Sequence, residues 1–193
     1  MLYLNQLKYS SIPYPCNTSN PEDEWGRNAS IKEAGCGLCS ACMVVDQLST
    51  KKLSLREARD LSTETGANWA RGTDMKILAQ ALAFRFDLIF SATDNITKLI
   101  HHLREGGRAI VNVGGDHDGY KGVFSHDGHY MELISYKRGW FCLLDPSQRK
   151  DKYDKGIQEG KVRVNGHFIY ASEEILKKET ENRSPAFYMF ARK

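Results

Sequence analysis

The stretch KEAGCGLCSACMVV, residues 32–45, sets three cysteines at every third position between a glycine-bracketed start and an apolar run. Its reading decides the fold, because thiols so spaced fit three chemistries. A structural zinc site takes four ligands, commonly two Cys-x-x-Cys pairs or a Cys/His set. The second half is missing here, and the nearest His-rich segment, residues 117–129, carries no Cys-x-x-Cys. An iron–sulfur cluster needs a fourth thiolate on a loop, whereas Cys39 and Cys42 continue a helical pattern. A redox pair is the second chemistry, since Cys36-Gly-Leu-Cys39 is a Cys-x-x-Cys at a helix start. A thioredoxin-like site follows a strand, however, and NASIKEAG at 28–35 is not one. The third chemistry is a single nucleophile. Cys36 falls in the first turn, where free N–H groups and the helix dipole favour a thiolate. Gly35 and Gly37 let the chain turn tightly and leave the sulfur accessible. Taken alone, Cys36 also fits a small buried residue.

A nucleophilic cysteine needs a base, and the base needs an orienting group. Residues 126–147, HDGHYMELISYKRGWFCLLDPS, offer both. The two apolar runs read as strands joined through Lys-Arg-Gly. A two-residue loop pairing 136 with 139 sets His129 opposite Pro146, beside Asp145, and a longer loop shifts the register by one to three residues. Either way imidazole and carboxylate emerge at the open end of one hairpin, where the carboxylate can fix the tautomer and support an imidazolium.

Working outward, Leu38, Ala41, Cys42, Val45 and Leu48 form one apolar face of the cysteine helix, with Cys39 near its edge. LSLREARDLSTETG is a second helix with Ser54 and Glu57 as a capping box and Gly66 beyond its end. GTDMKILAQALAFRF is a third, capped by Thr73 or Asp74, and NITKLIHHLREGG a fourth, ended by Gly106. His101 and His102 read as surface residues of that helix, and Trp69 as a packing residue. Strands then take over: RAIVNVG, the hairpin, a pair around Asn165-Gly166, and PAFYMFARK after a short helix, EEILKKETEN. Residues 1–30 read as an irregular, Pro-punctuated arm, and KDKYDKGIQEGK as a solvated loop. Helices first and an antiparallel sheet afterwards make an α+β chain.

The chain has 193 residues and a net charge of +3, spread without a basic, aromatic-interleaved block, which speaks against nucleic acid. No apolar run of about 18 residues spans a membrane. The N-terminus lacks the pattern of a signal peptide, so the expected compartment is the cytoplasm by default, or outside it if a leader was trimmed. Five cysteines, three of them crowded within seven residues, are no disulfide framework. The His/Asp loop before His129 (Asp116, His117, Asp118, His126, Asp127) reads as a rim of the cleft, with a bound cation as the alternative.

The series SIKEAGCGLCSACMVV, GTDMKILAQALA, LREGGRAIVNV, GHYMELI and LLDPS, in that order, resembles the papain-like cysteine peptidases related to the bacteriocin-processing, double-glycine-leader peptidases, in their stand-alone C39-like branch. The resemblance runs from about residue 3 to residue 147. It implies a papain-like fold over residues 1–193, with a mainly helical half (about 1–106) and a mainly β half (about 107–193) flanking a cleft. It implies Cys36 as nucleophile, His129 as general base, Asp145 as orienting residue and Gln6 as oxyanion donor, with Asn28 as a second candidate for that last role. A peptide or protein substrate and no cofactor or metal go with it. Cys39 and Cys42 depart from the family, which usually has other residues there. The alternatives are an inactive peptide-binding or accessory domain of the same fold and a Cys36–Cys39 redox protein.

Overall fold

Side-chain caps begin almost every helix in the computed structural model, which describes residues 1–17, 22–69 and 71–193. Residues 18–21 of the expected arm and Ala70 lie outside the described residues. Helix α1 (Glu24–Asn28) is capped by Asp23 and α2 (Ile31–Ala34) by Ser30. Helix α4 (Leu55–Glu64) starts on the expected Ser54/Glu57 capping box, and α5 (Met75–Phe86) on Asp74, whose carboxylate accepts from the Lys76 and Ile77 N–H groups. Asn95 caps α6 (Ile96–Arg104) and Ser172 caps α7 (Glu173–Thr180). The exception is α3 (Cys36–Leu48): its N-cap is Gly35, with no side-chain cap bond. The N–H groups of its first turn are left for something else.

Among the described residues, seven strands, β1 (Leu88–Thr93), β2 (Arg108–Val113), β3 (His129–Lys137), β4 (Trp140–Leu144), β5 (Val162–Asn165), β6 (Phe168–Ser172) and β7 (Phe187–Arg192), form one antiparallel sheet in the order β1-β7-β2-β3-β4-β6-β5. The expected C-terminal strand thus runs through the sheet between β1 and β2 rather than along an edge. Strand β1 lies inside the span expected to be helical, between the third and fourth expected helices.

Period-two alternation sends neighbouring side chains to opposite faces. Ile110, Tyr188 and Phe190 face a core built by α3, α4 and α5. Ala109, Val111, Val113, Phe187 and Met189 face a second core closed by Leu99 and Leu103 of α6 and Leu176 of α7. The sheet is therefore covered on both sides, and the fourth expected helix packs on the side away from α3. Nor is α3 apolar along a single face. Every residue from Gly37 to Val45 is buried, Cys39 included, so α3 is a central helix enclosed all round. His102 is not a free surface residue either, since its Nε2 lies 3.1 Å from the Arg108 carbonyl oxygen and 2.9 Å from that of Phe190. Trp69 is 46% exposed and does not serve the core.

Between α3 and the sheet lies one buried acid. Glu132 on β3 is fully buried; its Oε1 accepts from Gln47 Nε2 at 2.6 Å, and its Oε2 has no partner. Burial, only partly opposed by Arg108, pushes its carboxyl up to about 8. An acid whose folded pKa is raised lends stability below its unfolded pKa and loses it as pH rises to the folded value. Stability is therefore expected to fall by about 2–4 kcal/mol between pH 4.3 and 8 on this account. Glu132→Gln should remove that slope in thermal melts taken from pH 5 to pH 8. An unchanged slope would place its origin elsewhere.

Candidate active site

Four segments converge around the uncapped start of α3. Gly35 ends α2 and begins α3 in one residue, and a Cβ there would meet the Ile31 side chain and carbonyl at 2.5 Å. Only glycine makes this junction without displacing Ile31, and the junction presents Cys36 at the head of the helix. Cys36 is half-buried, while Cys16, Cys39, Cys42 and Cys142 are buried; all five thiols are free.

The β3–β4 hairpin brings the imidazole. Its turn residues, Arg138 and Gly139, both have positive φ (51° and 85°), the left-handed pair of a type I′ turn. Pairing starts at Lys137↔Trp140, and a bulge near Ile134 then shifts it to Leu133↔Leu143. This register differs from the expected 136–139 pairing, yet it delivers His129 and Asp145 to the same open end. His129 Nε2 lies 2.7 Å from Asp145 Oδ1, both groups buried. With Nε2 so engaged, Nδ1 is the ring nitrogen left to face Cys36, which lines the same cleft.

The N-terminal segment brings Gln6, by strapping itself across the loop after β4. The Gln6 backbone N–H donates to the Pro146 carbonyl at 2.7 Å, and Tyr3 Oη donates to the Asp145 carbonyl at 2.9 Å. Gln6 is buried; its Nε2 donates to the Lys32 carbonyl at 2.8 Å, and its Oε1 has no partner. A cleft of about 540 Å³ runs past Gln6, Cys36, His129 and Ser147, with Trp25, Arg71 and Asp127 also in its lining. Asn28 is exposed at the end of α1 and is not part of this lining. The loop before His129 does border the cleft, through Ser125, Asp127 and Gly128. Its Asp116 contacts His126 at 3.3 Å, and His117 pairs with Glu181 at 2.9 Å. Among the described residues no three His, Cys, Asp or Glu side chains converge to hold a metal ion.

The fourth segment is the loop expected to be solvated. Lys152 Nζ donates to Asp145 Oδ2 at 2.6 Å and to Ser147 Oγ at 2.7 Å, and buried Tyr153 donates to the same Oδ2 at 2.6 Å. Residues 151–156 look like any charged surface stretch, DKYDKG. The alternation of one tyrosine among charges was the available signal for an inward turn.

These contacts set the charge states. Burial opposes ionisation of Asp145, but Lys152 and His129 overcome it and hold the carboxyl far below the usual range. Burial likewise disfavours the imidazolium, yet the hydrogen bond and charge of Asp145, helped by Cys36, push His129 up to about 9. Burial alone would raise the Cys36 thiol; His129 and the N–H groups of Tyr130 and Gly37 more than offset it, so this thiol lies below its ordinary value. The other helix thiols go the opposite way: burial, then the neighbouring thiols Cys42 and Cys36, raise Cys39 well above normal, and burial first pushes Cys42 up to about 12. One cysteine of the three is thus prepared to ionise.

No protein-family model matches the chain, and no curated protein does. Solved structures do. The chain is similar to a protein from Bacillus anthracis assigned as a C39-like peptidase, with a TM-score of 0.57 and 11% identity, covering 93% of this chain and 95% of that one. It is also similar to the peptidase domain of Streptococcus ComA, a bifunctional ABC transporter involved in quorum sensing, with a TM-score of 0.51 and 16% identity over 82% and 91% of the two chains. At these identities the fold is what is shared. It is an α+β fold with an antiparallel sheet, that of the C39-like, papain-like peptidases.

Proposed function

We propose that the chain is a cysteine peptidase or amidase working through Cys36, His129, Asp145 and Gln6, with residues 1–193 acting as one papain-like domain. The observation that carries this reading is the meeting, at an uncapped helix start and in one cleft, of the half-exposed Cys36 with a buried His129 that is itself 2.7 Å from Asp145. The Cys36 thiolate attacks the acyl carbon of a peptide or amide, and the carbonyl π electrons move onto oxygen. The oxyanion is met by the Cys36 N–H and the Gln6 amide. Collapse breaks the C–N bond, and the leaving nitrogen takes its proton from the His129 imidazolium. Water then gives a proton to His129 as it attacks the thioester, and the thiolate leaves. Asp145 orients the ring throughout. The two structural relatives named as peptidases support the reaction class. No helix among the described residues is long and apolar enough to cross a membrane.

The test is the pH dependence of iodoacetamide alkylation, with each modified cysteine located by mass spectrometry. Cys36 is expected to react well below the ordinary thiol pKa of about 8.5, while Cys16, Cys39, Cys42 and Cys142 stay inert. His129→Ala should slow Cys36 at pH 6 at least about tenfold by withdrawing the imidazolium. A Cys36 that reacts no faster than an ordinary thiol, or that ignores the His129 change, would remove the basis for catalysis.

A further inference from the structure

We propose that Lys152 is a positioning residue that sets the protonation state of the Cys36–His129 pair, so that the thiolate forms without adding net charge to the buried site. This rests on the peptidase reading above and deepens it. The geometry is unusually complete for a side chain on a surface-like loop. The Lys152 side chain is only 11% exposed, and its ammonium bridges Asp145 Oδ2 and Ser147 Oγ at 2.6 and 2.7 Å. Ser147 Oγ in turn lies 3.0 Å from Asp145 Oδ1 and 3.2 Å from His129 Nε2. Lysine, carboxylate, hydroxyl and imidazole therefore form one closed ring of contacts.

Charge accounting gives the ring a purpose. A buried Asp145 without Lys152 would hold His129 protonated as its sole counterion. Ionising Cys36 would then leave the site with a net negative charge in a poorly solvated place, which is costly. With Lys152 present, Asp145 is already matched. Transfer of the Cys36 proton to His129 makes a second matched pair, and the site is neutral before and after. The groups facing this ring from its neighbours are Tyr3 on the N-terminal segment, Cys36 on α3, His126 on the loop before β3, and Arg149, Asp151, Tyr153 and Lys155 on the lysine's own loop. Both phenols stay protonated, held above their ordinary value first by burial and then by Asp145. Glu179, the next acid beyond Tyr153, is engaged instead by Tyr120 Oη at 2.7 Å and the Val123 N–H at 2.6 Å.

A cation lowers the pKa of every group near it, so removing it raises both Cys36 and His129. The experiment compares wild type with Lys152→Gln, which can still donate to the carboxylate but is uncharged, and with Lys152→Arg, which keeps the charge. Two profiles are read: the rate of Cys36 alkylation by iodoacetamide from pH 4 to pH 10, and the NMR titration of the His129 ring. Lys152→Gln is expected to move the onset of Cys36 reactivity and the His129 midpoint upward by about one pH unit each, with Lys152→Arg close to wild type. Unmoved midpoints, with or without a drop in amplitude, would reduce Lys152 to a structural contact and overturn the proposal. So would a Lys152→Gln and a Lys152→Met that both fail to fold while Lys152→Arg folds. The His129 titration keeps the two readings apart: a midpoint that stays put in Lys152→Gln while wild-type Cys36 reacts at low pH would overturn the role of Lys152 and leave the peptidase standing.

Discussion

Replacing Asp145 by alanine is expected to cost about 3–5 kcal/mol of folding stability, out of a total that for most domains is about 5–15 kcal/mol. The reason is the number of groups that would lose their only good partner. The Asp145 carboxylate is fully buried and accepts from His129 Nε2 at 2.7 Å, the Ser147 N–H at 2.8 Å and Ser147 Oγ at 3.0 Å on one oxygen, and from Lys152 and Tyr153 at 2.6 Å each on the other. Alanine leaves a nearly buried ammonium, a buried imidazole and a buried phenol facing a hole. Asparagine keeps the shape but offers one oxygen for five donors, and its NH2 group would point at a donor on whichever side it faced. Asp145→Asn is therefore expected to recover part of the loss, and to recover more when Lys152→Met removes the stranded cation. Urea denaturation of the single and double variants measures this, and a coupling below about 0.5 kcal/mol would show that Lys152 and Asp145 do not act as a unit.

The pH dependence carries the same signature with its sign fixed. Asp145 has a depressed folded pKa, so its contribution is present above about pH 3.9 and lost as the solution is made more acid. His129 is raised to about 9, so its contribution is full below about pH 6.5 and lost as pH climbs through the folded value. Asp145→Ala should flatten both edges, since the shift of His129 depends chiefly on this carboxylate.

How much of this could be read from residues alone follows a physical division. Local signals were legible. The Ser54/Glu57 capping box, the helix starts at Asp74 and Asn95, and the glycine-bracketed cysteine are decided within a turn of chain. The meeting of His129 and Asp145 was legible because a hairpin with a tight turn forces its open ends together whatever the register. The register itself was not, because the chain turns at Arg138-Gly139, one residue later than the expected loop, and a bulge near Ile134 then shifts the pairing again. The enclosure of α3 on all sides was hidden because small residues such as Gly37 and Ser40 do not look apolar in a periodicity plot, yet they are what let neighbouring elements approach closely. Strand β1 was hidden behind LIFSAT, six residues squeezed between two strong helical patterns, paired only with the last strand of the chain. Lys152 and Tyr153 were the least legible of all. A charge becomes buried because a partner waits for it, and here the partner is seven or eight residues back and was itself assigned to another role.

The proposed oxyanion donor, Gln6, is where a single substitution should slow one reaction of Cys36 and spare another. Gln6 reaches the cleft only because the N-terminal segment is bonded to Pro146, and its Nε2 already spends one hydrogen on the Lys32 carbonyl. That bond fixes the amide so that the second hydrogen is held in place before any substrate arrives, which is the condition under which such a donor counts most. Gln6→Ala is accordingly expected to slow acylation of Cys36 by a p-nitrophenyl ester by about 10²–10³-fold, with the loss in the acylation rate rather than in ester binding. Alkylation by iodoacetamide offers the control. It displaces iodide at a saturated carbon and develops no oxyanion, so the same variant should alkylate Cys36 at close to the wild-type rate. A parallel fall in both reactions would mean that Gln6 merely supports the position of Cys36. An unchanged acylation rate would mean that the N–H groups at the uncapped start of α3 hold the oxyanion without it.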